Sequence, residues 1–139
     1  MQIPFKLYAA ISRASDKFDP IIKDATNPFF SSKYSTLSSI RKSIDPALAA
    51  EGVSYFYRLD GDSIILRVVF ETEFEDHIAP LYGENAQQYG ASSTYQRRYL
   101  LQVAFNLASV DDDGEAAMGR GTTPATKSAA PAPRSNRTF

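Results

Sequence analysis

Apolar residues first recur at helical spacing, with Leu7, Ile11, Ala14 and Phe18 on one face just after Pro4, a residue tolerated in a first helical turn. The pattern predicts a helix from about 4 to 18. Residues 19 to 34, DPIIKDATNPFFSSKY, hold two prolines and no period. They read as a loop, long for a compact domain and for that reason a candidate for function. Ser35 or Thr36 can then cap a second helix carrying Leu37, Ile40, Ile44 and Leu48 and ended by Gly52, with Pro46 expected to kink or restart it. From Val53 the period becomes two. Val53, Tyr55, Tyr57 and Leu59 alternate up to the turn dipeptide Asp60-Gly61, and Ile64, Leu66, Val68, Phe70 and Phe74 alternate against Arg67, Glu71, Glu73 and Glu75. This predicts a hairpin with one apolar face. FEDHIAPLY adds a short third strand, with Pro80 at an edge or an end. A last helix, from about Asn85 to Ser109, places Tyr89, Ser93, Leu100, Val103, Ala104 and Leu107 along one face. Tyr95, Leu101 and Phe105 lie off that stripe and form a second apolar surface, expected to meet a neighbouring subunit.

Composition sets the class. At 139 residues and 15.3 kDa, with 43% hydrophobic and 22% charged residues, the chain fits one globular domain with a real core. No stretch is long and apolar enough to span a membrane, and the N-terminus lacks a signal-peptide pattern, so the expected location is the cytoplasm. Zero Cys and one His exclude disulfides, zinc fingers and thiol nucleophiles, and leave no two-His metal site. No Gly-Lys dipeptide exists for a phosphate-cradling loop, which argues against an ATP-driven enzyme. Residues 120 to 139 carry four Lys/Arg and no acid, residues 61 to 119 carry three against ten, and residues 1 to 60 carry eight against six. A net charge of −1 can therefore hide a basic surface. The segment from 119 to 139, rich in Pro, Ala, Ser and Thr, reads as a flexible basic tail after a core domain of residues 1–118.

Three motifs carry the candidate chemistry. NPFFSSKY, residues 27 to 34, joins aromatics to a cation, as single-strand nucleic-acid binders do. Composition alone favours Phe29 and Phe30 as core plugs instead. Arg97 and Arg98 sit mid-helix and diverge by 100°. Each is either an anion contact or a structural charge, and a buried ion pair is the plain account of Arg97. Asp111, Asp112, Asp113 and Glu115 suit a solvated acidic loop better than a metal centre, because adjacent carboxylates point apart. A metal-dependent nuclease using them is the least favoured function. His77 is read as a surface residue in a charged turn.

Together, DPIIKDATNPFFSSKYSTLSSIRKSIDPALAAEG, a strand hairpin and YGASSTYQRRYLLQVAFNLASVDDDGE resemble the ERF (essential recombination function) family of phage-type single-strand annealing proteins, over roughly residues 7 to 117. The resemblance implies an α+β fold with a small antiparallel sheet, a β-β-β-α core with helices packed on it, similar to the annealing-protein core and assembling into rings or filaments. It implies a non-enzymatic, cofactor-free and metal-free activity: binding single-stranded DNA and annealing complementary strands in homologous recombination, in a bacterial host cytoplasm if phage-encoded. Plain single-strand protection without annealing is the alternative. Lys33, Tyr34, Arg97 and Arg98 map to family motif positions. The full candidate contact set is Lys23, Asn27, Phe29, Phe30, Lys33, Tyr34, Arg41, Arg97, Arg98 and Tyr99, with Tyr95, Leu101 and Phe105 as the subunit interface. Lys33, Arg97 and Arg98 are expected in one groove. Beyond DNA and further copies of itself, candidate partners are a host single-strand binding protein, recruited by the tail, or a companion exonuclease.

Overall fold

Three eight-residue strands form a meander, and three helices cover one of its faces. In the computed structural model residues 2–29 and 31–108 are described. Met1–Asp19 and Asp24–Leu107 form one unit, while Pro20–Lys23 and Ala108 belong to a second. The elements run α1 (Phe5–Ser15), β1 (Ala25–Thr26), β2 (Lys33–Tyr34), α2 (Leu37–Ala50), β3 (Val53–Asp60), β4 (Ser63–Phe70), β5 (Glu73–Pro80) and α3 (Ala86–Ala104). The architecture is α+β, with β3, β4 and β5 antiparallel in that order and a separate two-stranded ribbon β1-β2. The C-terminal part follows the expected β-β-β-α order.

Local chemistry accounts for the boundaries. Thr36 caps α2 by accepting from the Ser39 N–H at 3.1 Å, and Asn85 caps α3 by accepting from the Gln88 N–H at 2.9 Å. Gly52 follows α2 with φ 79, the left-handed geometry that a helix terminus assigns to glycine. α2 runs through Pro46 as one element, so the proline does not restart it. Its buried side chains Ile40, Ile44 and Leu48 hold both halves in the core. Gly61, φ 58, occupies the first position of the two-residue β3-β4 turn, where positive φ matches the strand twist.

The second turn, Glu71-Thr72, changes the strand reading. Phe70 pairs with Glu73, so β5 begins there and is as long as its partners. Phe74 therefore lies on the opposite face from Phe70, although a simple count of two places them together. The covered face carries Tyr55, Tyr57, Leu66, Val68, Glu73, Glu75 and His77 toward the helices. The Leu7 N–H donates to Glu73 Oε1 at 2.9 Å, and the Tyr8 hydroxyl donates to Glu75. Tyr55 donates to Asp45 at 2.6 Å, and burial together with that carboxylate pushes its phenol pKa up. His77 is thus a half-buried strand residue, its Nε2 3.2 Å from Glu75 Oε1, rather than a surface residue in a turn.

The open face carries Phe56, Phe74 and Ile78, all more than half exposed, beside Arg58, Arg67, Asp60 and Asp76. The expectation of a single apolar face fails here: the central strand also places Ile65 and Val69 on this side. Arg67 donates twice to Asp76, at 2.8 Å each, and its guanidinium lies 4.0 Å from the Phe74 ring. Those bonds hold the Asp76 carboxyl below its usual range. A carboxyl whose pKa is depressed by folding adds stability above its unfolded pKa of about 3.9. That stability disappears as pH falls through the folded value. Thermal melts of the wild type and Asp76→Asn should therefore differ at pH 7 and converge as the pH falls below the ordinary carboxylate range; a constant difference would show that the ion pair is not its source.

The core joins Leu7, Ala10 and Ala14 of α1, Ile40, Ile44 and Leu48 of α2, Leu66 and Val68 of β4, and Leu100 and Leu101 of α3. Phe105 plugs its end, edge-on to Phe18 at 6.5 Å and to Tyr55 at 5.8 Å. Leu101 is 0% and Phe105 2% exposed, so neither forms the expected outer surface. α3 is rolled toward Leu101 relative to the expected stripe, leaving Val103 half exposed. It also ends at Ala104, after which Asn106, φ 53, turns the chain and a helical count places nothing correctly.

Candidate functional site

The irregular stretch before α2 is a built hairpin. Ala25 pairs with Tyr34 and Thr26 with Lys33. Asn27 shapes the tip: its Oδ1 accepts from the Phe29 N–H at 2.9 Å, its carbonyl accepts from Ser31 N–H at 2.9 Å, and its own N–H donates to Ser32 O at 2.7 Å. Ser31 takes positive φ, 55°. Phe29 stands 87% exposed on this tip, which overturns the core-plug reading for that residue. Phe30 lies outside the described residues. At the base, Asp24 accepts from both the Thr36 N–H and the Thr36 hydroxyl at 2.9 Å, fastening the ribbon to the start of α2. The Thr36 amide bond holds the Asp24 carboxyl below the usual carboxylate range.

The ribbon meets α3 through Arg98. Its guanidinium carbon lies 4.7 Å from the Tyr34 ring centroid and 5.9 Å from that of Tyr95, a cation between two phenols. Two sequence motifs 64 residues apart, counted from Tyr34 to Arg98, thereby share one surface. Lys33 is exposed beside Tyr34 on β2. Tyr95, expected at a subunit interface, belongs to this cluster, and Tyr99 is half exposed one turn further along.

Arg97 behaves differently. Its Nε donates to Ser93 O and its Nη2 to Thr94 Oγ1, both at 3.4 Å, while the Tyr57 hydroxyl donates to the Arg97 carbonyl at 2.8 Å. Burial raises the Tyr57 pKa. Arg97 is thus half-buried and folded back on its own helix, and no carboxylate meets it among the described residues; Asp111 to Asp113, which could pair with it, lie outside them. Arg98 and Lys33 also lack a carboxylate partner among those residues. α3 contains no Asp or Glu in its 19 residues. Arg41, by contrast, is paired with Asp45 at 3.1 Å and lies over Tyr55. Lys23 belongs to the second unit and is not placed with the cluster. Asp111, Asp112, Asp113 and Glu115 lie outside the described residues, as does the tail from 119 to 139. Among the described residues no group of three or more His, Asp or Glu could hold a metal ion, and no helix is long and apolar enough to cross a membrane.

Sequence reasoning missed the Asp24 clamp and Tyr82. Asp24 followed by Thr36 has no local signature across twelve residues. Tyr82 lay in a stretch read only as a strand end, yet its N–H donates to Ser92 Oγ at 3.0 Å, placing it against α3.

Compared with known proteins, the chain matches the family model of the ERF superfamily over residues 7–138. No curated protein and no solved structure matches it.

Proposed function

The chain belongs to the ERF superfamily, and from that premise we propose that it binds single-stranded DNA without ATP and anneals complementary strands in homologous recombination. The observation that carries the reading is the meeting of the Lys33-Tyr34 ribbon with Arg98 on a helix free of carboxylates. Phosphates need cations that no acid already neutralises, and bases need exposed rings to stack on; Lys33, Arg98 and Phe29 supply both kinds of contact on adjoining elements.

Annealing needs no external energy source, since duplex stacking at about 1.4 kcal/mol per step already favours the product. The protein's work is to neutralise two repelling strands and to hold one extended with its base edges free. One subunit offers few free cations, so affinity comes from multivalency in a homo-oligomer, ring or filament. With contacts to phosphate and ring faces alone, binding shows little base preference. The tail from 119 to 139 adds electrostatic affinity or recruits a host single-strand binding protein, and a companion exonuclease would supply the single strands. The site of action is the cytoplasm.

A fluorescence assay of complementary-strand pairing, with and without ATP and Mg²⁺, tests this. Accelerated pairing in the absence of both is expected. Slowed spontaneous pairing would mean protection without annealing, metal-dependent strand loss would mean a nuclease, and either result would overturn the reading.

A further inference from the structure

Exposed tyrosines line one stripe of α3. Tyr95 and Tyr99, four residues apart, share a helix face with Cβ atoms about 5 to 6 Å apart, and are 59% and 50% exposed. Tyr82, 64% exposed, has its backbone N–H held by the Ser92 hydroxyl, which lies on the same helix face three residues before Tyr95, so its chain runs alongside this stripe. Single exposed apolar side chains are ordinary, but three exposed phenols gathered along one helix that also carries Arg98 are not.

We propose that Tyr82, Tyr95 and Tyr99 form a track on which successive bases of a single strand stack, continuing from the Arg98-Tyr34 pair. The proposal rests on the function proposed above and names the part of the strand each element reads: Lys33 and Arg98 hold phosphates, and the tyrosines hold bases. Charge favours this occupant over the open face of the sheet. There Arg58 and Arg67 are both paired with Asp76, whereas α3 carries two arginines and no acid. Besides the rings the stripe carries Gln88 and Ser92, which suit a wet, tolerant surface, and one aliphatic residue, the half-exposed Val103, at its C-terminal end. One ring per helical turn spaces bases at about 5.4 Å, wider than the 3.4 Å of a duplex strand. Stacking engages base faces, so the pairing edges stay free to meet a complement.

The chain has eight Tyr and no Trp, so its intrinsic emission reports tyrosine directly. The full-length protein is titrated with oligothymidylate and with an abasic strand of equal length, following that emission and fluorescence anisotropy at several salt concentrations. The wild type should bind oligothymidylate more tightly than the abasic strand, with quenching. The triple variant Tyr82→Ala, Tyr95→Ala, Tyr99→Ala should lose roughly tenfold or more in affinity for oligothymidylate per ring removed. It should bind the abasic strand as the wild type does and keep the wild-type salt slope, while the corresponding Phe variants keep wild-type affinity. Should the triple variant not fold, single Tyr82→Ala and Tyr99→Ala changes carry the test, both side chains being at least half exposed. Equal wild-type affinity for the two strands, or unimpaired Ala variants, overturns the track. So does a change in sedimentation of the DNA-free Ala variants, which would make the stripe a contact between copies. A wild type that binds neither strand overturns the proposed function, and the track with it.

Discussion

Phe105→Ala is expected to cost about 3 to 5 kcal/mol of folding stability. Phe105 is 2% exposed, packs edge-on against Phe18 and Tyr55, and closes the end of the core where α3 stops. Truncation leaves a cavity between the segment after α1, β3 and the end of α3, which three separate parts of the chain would have to close. Domains of this size have about 5 to 15 kcal/mol in total, so the loss takes a large share of the margin and lowers the melting temperature by about 15 °C or more. Thermal unfolding followed by far-UV circular dichroism measures it. The alternative location, on a subunit interface, makes the opposite prediction: an unchanged monomer melt and altered light scattering. Leu101→Ala, at 0% exposure, should behave like Phe105→Ala at about 2 to 5 kcal/mol.

The second large effect falls on DNA affinity. Arg98→Ala and Lys33→Ala should each weaken single-strand binding and flatten the plot of log affinity against log salt by about 0.7 per phosphate contact, multiplied by the subunits engaged. Stability should change little, since a surface cation–π contact contributes about 0.5 to 1 kcal/mol. Arg98→Lys separates the two parts of the role. Lysine keeps the charge but not the planar stack on Tyr34, so the slope should survive while part of the affinity is lost. Arg97→Ala should move the slope least, because its guanidinium is bonded within its own helix to Ser93 and Thr94. Salt-dependent anisotropy titrations of the four variants decide this, and equal slopes for all four would show that neither Lys33 nor Arg98 meets phosphate.

The reach of sequence reasoning differed by element. α1 was legible because Leu7, Ile11, Ala14 and Phe18 recur at helical spacing, and the strands were legible from alternation between turn residues. The ribbon β1-β2 was not, since two-residue strands carry no period and are held by the Asn27 turn and the Asp24 clamp. The α3 stripe was misjudged at its C-terminal end, where Leu100 is buried as expected but Leu101 joins it and Val103 is left half exposed. Tyr95 was grouped with Leu101 and Phe105 for being apolar off the expected stripe, whereas tertiary packing sends two of them inward and leaves one outside.

By itself, the sequence determined the order of the three helices and the three long strands, a capped start of α2 at Ser35 or Thr36, the Asp60-Gly61 turn and the motifs that mark the family. All of these rest on interactions spanning a few residues, or on residue types at fixed spacing, which a linear reading contains. The tertiary structure decided which face of α3 is buried, that Phe29 stands in solvent, that Glu73 receives an amide of α1 66 residues away, and that Arg98 settles on Tyr34. The physical reason is that a side chain's partner depends on how elements roll against one another. That roll is set by the whole core packing at once, with Phe105, Leu101 and Tyr57 fixing α3 on the sheet.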